Sequence, residues 1–203
     1  MTVPIVLRTE RLTLRPFQDS DVEDALSYRD DREFARFLPH IPQPFTRRDA
    51  EAFVARNMSE PWARSPTFAV VLEGTLIGTV NVEVEADPRA AMLGYAIGRA
   101  WWGRGLATEA ARAAIAWAVD TYSLVRIWAS TDVCHVRSRR VLEKLGMQPE
   151  AVRVGDHIGR AGELVDEMVY ALNRAPIDNS SPEAEDTGTA HSLAEQWLEG
   201  GGV

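Results

Sequence analysis

Between residues 101 and 110 the chain reads WWGRGLATEA, with Gly103 and Gly105 where strand-like sequence gives way to a helical repeat. Small residues there let successive backbone N–H groups approach an anion. The unpaired N–H groups of the first helical turn and the positive end of the helix dipole face the same point. A pyrophosphate suits that geometry. The competing reading is a tight turn that needs glycine only for its backbone angles. A dinucleotide-binding GxGxxG fits poorly, because Thr108 replaces the third glycine and Asp132 lies 27 residues past Gly105 instead of about 20. Cys134 and His135 are neighbours only in sequence, where side chains seldom face one another, and no third group accompanies them as a nucleophile would require. His40 and His157 have no partner at metal-ligand spacing, so no metal is expected.

The elements that must position these residues follow from periodicity. Leu12 and Leu14 alternate with polar neighbours as a first strand. Ser20-x-x-Glu23 resembles a capping box for a helix to about Phe37, and Thr46-x-x-Asp49 a cap for a second helix to about Met58. Pro39, Pro42 and Pro44 keep the connection non-helical. Residues 67–73 and 76–85 form a hairpin, with Val80, Val82 and Val84 on one face and Asn81, Glu83 and Glu85 on the other. After an Asp87-Pro88 turn, MLGYAIG is the next strand. Ala107, Ala110, Ala111, Ala114, Ile115 and Ala118 recur at helical spacing, so a helix over about 107–122 packs closely on a sheet. VRIWAST is a further strand; Ser138, Val141, Leu142 and Leu145 line one face of a short helix stopped by Gly146, and a strand near ELVDEMVYAL closes the domain. Hairpins with a single βαβ crossover make the sheet mixed, not doubly wound.

Composition removes other classes of function. The 203 residues have 45% hydrophobic and 26% charged side chains, which suits one globular domain. No apolar run approaches a membrane span, and MTVPIVLRTERL lacks the pattern of a secretory signal. The single cysteine excludes a disulfide framework and suits a cytoplasmic setting. The net charge is −8, and six of the 30 acids fall in residues 175–203, which contain no Lys or Arg. The remainder is nearly neutral and offers no basic footprint for nucleic acid. Residues 1–174 therefore read as the domain and 175–203 as an acidic, disordered tail, although Leu193, Trp197 and Leu198 could form a short docking helix.

LRTERLTLRPF, IGTV, LGYAIGRAWWGRGLATEAARAAIAWA and VRSRRVLEKLGM, in this order and spacing, resemble the GNAT superfamily of acetyl-CoA-dependent N-acetyltransferases. Within it the likeness, over residues 7–172, is to the branch of ribosomal-protein alanine N-acetyltransferases (RimJ/RimL-like). The resemblance implies an α+β fold, a mixed and mostly antiparallel sheet flanked by helices, in which MLGYAIG and VRIWAST splay apart around the pantetheine arm. It implies an enzyme taking acetyl-CoA as cosubstrate and an amine as acceptor, with no metal, nucleic acid or membrane partner, as a monomer or homodimer. By position, Gly103, Arg104, Gly105, Leu106, Ala107 and Thr108 would hold the CoA pyrophosphate, with Arg104 adding a charge-assisted contact. The backbones of Tyr95, Ala96 and Ile97 would pair with the pantetheine amides, one N–H polarising the thioester carbonyl. Three positions depart from the family: Trp102 stands where the loop usually begins with Gln or Arg, His135 where Asn is frequent, and Leu142 where many members carry a tyrosine general acid.

The chemistry needs a neutral amine held in line with a thioester, and positioning supplies much of the rate. Ser138, on the inward face of its helix, is the general-acid candidate, against a hydroxyl merely bonded to its own helix carbonyl. Glu83 and Glu85 are candidates for the base, against a solvated strand face; Met92 replaces a carboxylate found in several relatives. Those glutamates, with Asp30, Asp31 and Glu33, favour a cationic acceptor by long-range attraction. An α-amine, with pKa of about 7.7 to 8.0, needs less help from a base than lysine, so a protein N-terminus is favoured beside a small-molecule amine. A catalytically idle acyl-CoA-binding module is the alternative from another class.

Overall fold

The computed structural model describes residues 5–86 and 89–173. The Asp87-Pro88 turn and the tail with Leu193, Trp197 and Leu198 lie outside the described residues. Eight strands form one sheet: β1 (Leu7–Arg8), β2 (Leu12–Arg15), β3 (Thr67–Leu72), β4 (Thr75–Val84), β5 (Ala90–Ile97), β6 (Arg126–Asp132), β7 (Gln148–Ile158) and β8 (Leu164–Asn173). Their spatial order is β1-β2-β3-β4-β5-β6-β8-β7. Every neighbouring pair is antiparallel except β5 and β6, which are parallel. Those two are joined through α4 (Leu106–Tyr122), the single crossover expected. The remaining helices are α1 (Val22–Arg29), α2 (Arg32–Ala35), α3 (Arg47–Ser59) and α5 (Val136–Lys144).

Both faces of the sheet are covered, which explains why β3 is buried along its whole length. Phe68, Val70 and Leu72 join Val80, Val82 and the alanine face of α4 in one core, together with Leu142 of α5. Ala69 and Val71 point the other way, into a core with Phe17, Tyr28, Phe34 and Phe53 from the α1–α3 layer. Ala110, Ala111, Ala114 and Ala118 are fully buried, so their small side chains let α4 sit close to β4 and β5.

The α1 region departs from the sequence pattern. Ser20 and Glu23 do not form the cap; instead the Gln18 N–H donates to the Asp21 carboxylate at 2.9 Å, and buried Asp21 is gripped by Arg15 at 2.6 and 2.8 Å. Nor does the helix reach Phe37. Asp30 accepts from the Phe45 N–H at 2.7 Å and Asp31 from the Phe34 N–H at 2.9 Å, so two consecutive aspartates end α1 and cap the short α2. Thr46 caps α3 as its spacing predicts, reciprocally with Asp49.

The segment after α2 is clasped from a distance. Arg160, in the turn between β7 and β8, donates to the carbonyls of Ala35 (3.1 Å), Leu38 (2.8 Å) and Ile41 (2.7 Å). One guanidinium thus ties the edge hairpin to the proline-rich connection. Arg160→Ala should lower stability by about 1 kcal/mol, shifting Tm by about 2 to 4 °C, and should speed amide exchange within 35–41. Unchanged exchange there would show that the clasp does not hold the segment.

Candidate active site

Strands β5 and β6 pair only from Ala90↔Arg126 to Met92↔Trp128. Beyond Met92 they part, and the edge of β5 at Tyr95, Ala96 and Ile97 faces a cleft instead of a strand. On the α4–α5 side the cleft opens into a cavity of about 730 Å³, lined by those three residues and by Gly103, Gly105, Leu106, Ala107 and Thr108. Gly103 and Gly105 adopt φ of +75° and +77°, which L side chains resist, and Gly105 is the N-cap of α4. The helix begins at Leu106, one residue earlier than the alanine repeat indicates, so the N–H groups of Leu106, Ala107 and Thr108 have no intrahelical acceptor. An open glycine turn, unpartnered N–H groups and a half-free strand edge fit a long phosphorylated ligand such as acetyl-CoA.

An ion-pair network fastens this loop to the turn between β1 and β2. Glu109 accepts from the Thr9 hydroxyl at 2.6 Å and from the Arg11 N–H and guanidinium at 3.0 and 2.7 Å. Arg11 also donates to the Arg104 carbonyl at 2.9 Å. Partial burial raises the Glu109 pKa, but these donors outweigh it and hold the carboxylate below its usual range. Arg104 itself is exposed and is not among the residues lining the cavity, while its carbonyl accepts from Arg11.

The cations come from α5 instead. Arg137, Arg140 and Lys144 line the cavity, at the i, i+3, i+7 spacing that places them on one helix face. Arg137 lies over the Trp102 ring at 4.8 Å, so the charge missing at position 102 is supplied by a neighbour stacked on it. The Trp102 indole donates to the Ile97 carbonyl at 2.6 Å, leaving the pantetheine-type pairing to the rest of the edge. His135 lines the same cavity and stacks on Phe37, with centroids 3.9 Å apart and planes 9° apart. Burial lowers its pKa to about 4, against the opposing pull of Asp132, so the ring is a neutral hydrogen-bonding group at neutral pH.

A second cavity, of about 550 Å³, lies on the α1–α3 side and shares Leu38, His40, Tyr95, Ala96, Ser130 and Ser138 with the first. At this junction the Tyr95 hydroxyl lies 2.8 Å from Ser138 Oγ and 3.0 Å from the Ser138 carbonyl. Burial raises the Tyr95 pKa, partly offset by Ser138. Leu142 is wholly buried in the core, and the aromatic hydroxyl at this junction comes from β5. Residue spacing placed Ser138 on the inward face; the Tyr95 side chain was readable as well, because it shares one face of its strand with Leu93 and Ile97, which pack in the α4 core.

Glu83 lines the second cavity and is exposed. Glu85 does not line either; it lies past the end of β4 and is bonded to the Trp128 indole at the joined end of β5 and β6. The structure therefore does not bring Glu85 to the site. The acids invoked for acceptor attraction are engaged locally: Asp30 and Asp31 in capping, and Glu33 with Arg36 at 3.8 Å. His157 differs from its sequence reading, since pairing of β7 with β8 brings its Nδ1 within 3.8 Å of Glu167, beside the 3.9 Å contact with its neighbour Asp156, at the cleft wall.

A mixed sheet parted between its parallel strands, with a glycine turn opening a helix at the gap, defines a CoA-dependent acyltransferase. The acetyltransferase (GNAT) domain family matches residues 11–148, and the chain belongs to that family as an acetyl-CoA-dependent N-acetyltransferase. The uncharacterized N-acetyltransferase YnaD of Bacillus subtilis (strain 168) is 29% identical over 168 residues, 82% of this chain and 95% of its own. The ribosomal protein uS5-alanine N-acetyltransferase of Escherichia coli (strain K12) is 34% identical over 102 residues, 49% of this chain and 52% of its own. A GNAT-family acetyltransferase from Bacillus anthracis superposes with a TM-score of 0.73 at 28% identity, over 83% of this chain and 98% of that one.

Two measurements test this geometry. A Cβ at Gly105 would meet only Arg11, 3.7 Å away, so Gly105→Val suffers chiefly from its positive φ and from the bulk it turns toward the anion. Calorimetry should show CoA binding abolished in a protein that still folds; unchanged affinity would remove the loop from the site. For His135 the folded-state pKa lies below the ordinary 6.5, so the unfolded chain takes up the proton first. Stability is then lost as pH falls from 6.5 toward about 4, and His135→Gln should flatten that part of the Tm–pH curve. An unaltered curve would place the acid sensitivity elsewhere.

Proposed function

We propose that this chain moves the acetyl group of acetyl-CoA to a primary amine by direct attack in a ternary complex, the cosubstrate entering from the α4–α5 side and the acceptor from the α1–α3 side. The observation that carries this reading is the Tyr95–Ser138 hydroxyl pair at the junction of the two cavities. The neutral amine attacks the thioester carbon and a C–N bond forms. The developing oxyanion takes a hydrogen bond from a backbone N–H on the Tyr95–Ile97 edge. The C–S bond then breaks, and the thiolate receives a proton from the hydroxyl pair. The nitrogen releases its proton through Glu83 and water, and solvent refills the pair. Acetyl-CoA phosphates rest on the 103–108 turn with Arg137, Arg140 and Lys144 around them.

An α-amine is the acceptor this chemistry favours, since much of it is neutral near pH 8 without a strong base. The likeness to a ribosomal-protein alanine acetyltransferase supports a protein N-terminus. The buried walls of the second cavity favour a small amine, and we take that as the primary reading. Residues 1–174 form the catalytic unit in this proposal, working in the cytoplasm.

Release of CoA thiol across a panel of amines tests the activity; tight acetyl-CoA binding without release would favour an idle binding module. Tyr95→Phe and Ser138→Ala should each lower kcat by up to about 100-fold with little change in acetyl-CoA affinity. The double variant should be little worse than either single one, because the hydroxyls act as a unit. Because the Tyr95 pKa is raised, the acid stays protonated, and kcat should show no descending limb below about pH 10. Full activity in both single variants would return the pair to a packing role.

A further inference from the structure

Arg29, the last residue of α1, lines the second cavity although it is only 6% exposed. Its guanidinium lies between aromatic rings, with the Phe53 centroid at 3.9 Å and those of Phe45, Phe34 and Tyr28 at 5.2, 5.9 and 6.0 Å. Rings receive the faces of a guanidinium, whereas its five N–H donors lie in its plane and require acceptors. Arg29 Nε is buried without one. Among the described residues no carboxylate stands within ion-pair distance of Arg29.

Two carboxylates, Glu60 and Glu83, line the same cavity, but neither stands within ion-pair distance of Arg29, and Glu60 accepts from the Thr67 hydroxyl at 3.2 Å. Asp21, the buried acid of this layer, is already held in two-point contact by Arg15. Arg56 lines the same cavity and adds a second cation. His40, shared by both cavities, has its pKa lowered first by burial and then by Arg29, Arg56 and Arg160, so it remains neutral. A buried cation without an anion is expensive, and a fold keeps one where a ligand completes the pair. The cavity that holds it is the one through which an acceptor reaches the Tyr95–Ser138 junction.

We propose that the acceptor of this enzyme carries an acidic group, a carboxylate or a phosphate, which Arg29 receives inside the α1–α3 cavity, with Arg56 reinforcing it, while the acceptor's amine is presented at the junction. This rests on the acetyl-transfer reading above and names the class of its substrate: small amino acids, phosphorylated amines and their derivatives, in place of the cationic peptide that surface acids suggested. Arg29 is a specificity-determining residue and takes no part in bond making.

Matched amines separate the two acids and test the proposal. Thiol release is compared for the standard amino acids against their α-amides, and for O-phosphoethanolamine against ethanolamine. The acid-bearing members of one pair type should exceed their neutral partners by at least about tenfold in kcat/KM. Arg29→Met keeps the ring contacts while removing the unpaired charge, so its Tm should hold or rise, and the preference for the acid should vanish with KM rising more than kcat falls. A separate readout needs no turnover: the same amines are titrated into the CoA-loaded wild-type protein, and the acid-bearing members should raise Tm and the neutral ones should not. Binding that depends on Arg29 with no thiol release from any amine would retain the anion site and overturn the acetyl-transfer reading. Neutral or cationic amines serving as well as their acidic counterparts, or discrimination unchanged in Arg29→Met, would overturn the proposal. If Arg29→Met does not fold, wild-type melting that responds equally to the acid-bearing and neutral members of both pair types overturns it alone.

Discussion

A β-sheet ordinarily satisfies the backbone of each interior strand on both sides, and here that rule is suspended between β5 and β6 after the pair Met92↔Trp128. The separation is held from both ends. At the joined end Arg126 binds Glu150 and Asn173, and the Trp128 indole binds Glu85, so β6 is fastened to its neighbours where it meets β5. At the open end the Tyr95 side chain reaches across to Ser138 on α5, and the Trp102 indole covers the Ile97 carbonyl. The gap leaves strand-edge polar groups facing a cleft that reaches both faces of the sheet, where the two cavities share Tyr95, Ala96 and Ser138.

The glycine turn depends on the same arrangement. Its free N–H groups can serve an anion only if the start of α4 stays beside the open edge, and Glu109 secures this by joining the first turn of α4 to Thr9 and Arg11 in the turn between β1 and β2. The mostly antiparallel sheet, the buried alanine stripe and the loop network act together: close packing of α4 sets its depth and the Glu109 ion pair sets where it begins. Such a pair is partly exposed and contributes modestly to global stability, so its main consequence is local order.

Much of this was legible in the sequence because it is local. The alanine repeat of α4, the 67–85 hairpin and the Thr46 cap each follow from short-range spacing. The failures are long-range or competitive. Ser20 and Glu23 lose the cap to Asp21 because Arg15 fixes that carboxylate from the preceding strand. Asp30 and Asp31 end α1 early because their side chains satisfy backbone N–H groups, one of them as distant as Phe45. Glu85 shares a strand face with Glu83, yet two residues of rise carry it past the end of β4 to the Trp128 side. Arg137, Arg140 and Lys144 could have been found by helical spacing, had Arg-rich composition not made every arginine look alike.

Charge shows the widest gap between sequence and site. Read from the sequence, Glu83 and Glu85 with Asp30, Asp31 and Glu33 before the proline-rich connection suggest attraction of a cationic partner. Folding spends Asp30 and Asp31 on caps and Glu33 on a surface pair, while Arg29 and Arg56 converge on the inner cavity and Arg137, Arg140 and Lys144 on the outer one. Net charge governs solubility and long-range attraction, but recognition depends on the few groups that remain unpaired after local bonds are made. Counted that way, Arg29 is the buried cation of the inner cavity, while Arg56, Arg137, Arg140 and Lys144 are exposed and share the two cavities with Glu60, Glu83, Asp132, Asp156 and Glu167. In the proposed reading a phosphate tail on one side and an acid-bearing amine on the other would meet the same device, an arginine held against aromatic rings, Arg137 on Trp102 and Arg29 among Phe53, Phe45, Phe34 and Tyr28, with no carboxylate among the described residues at ion-pair distance.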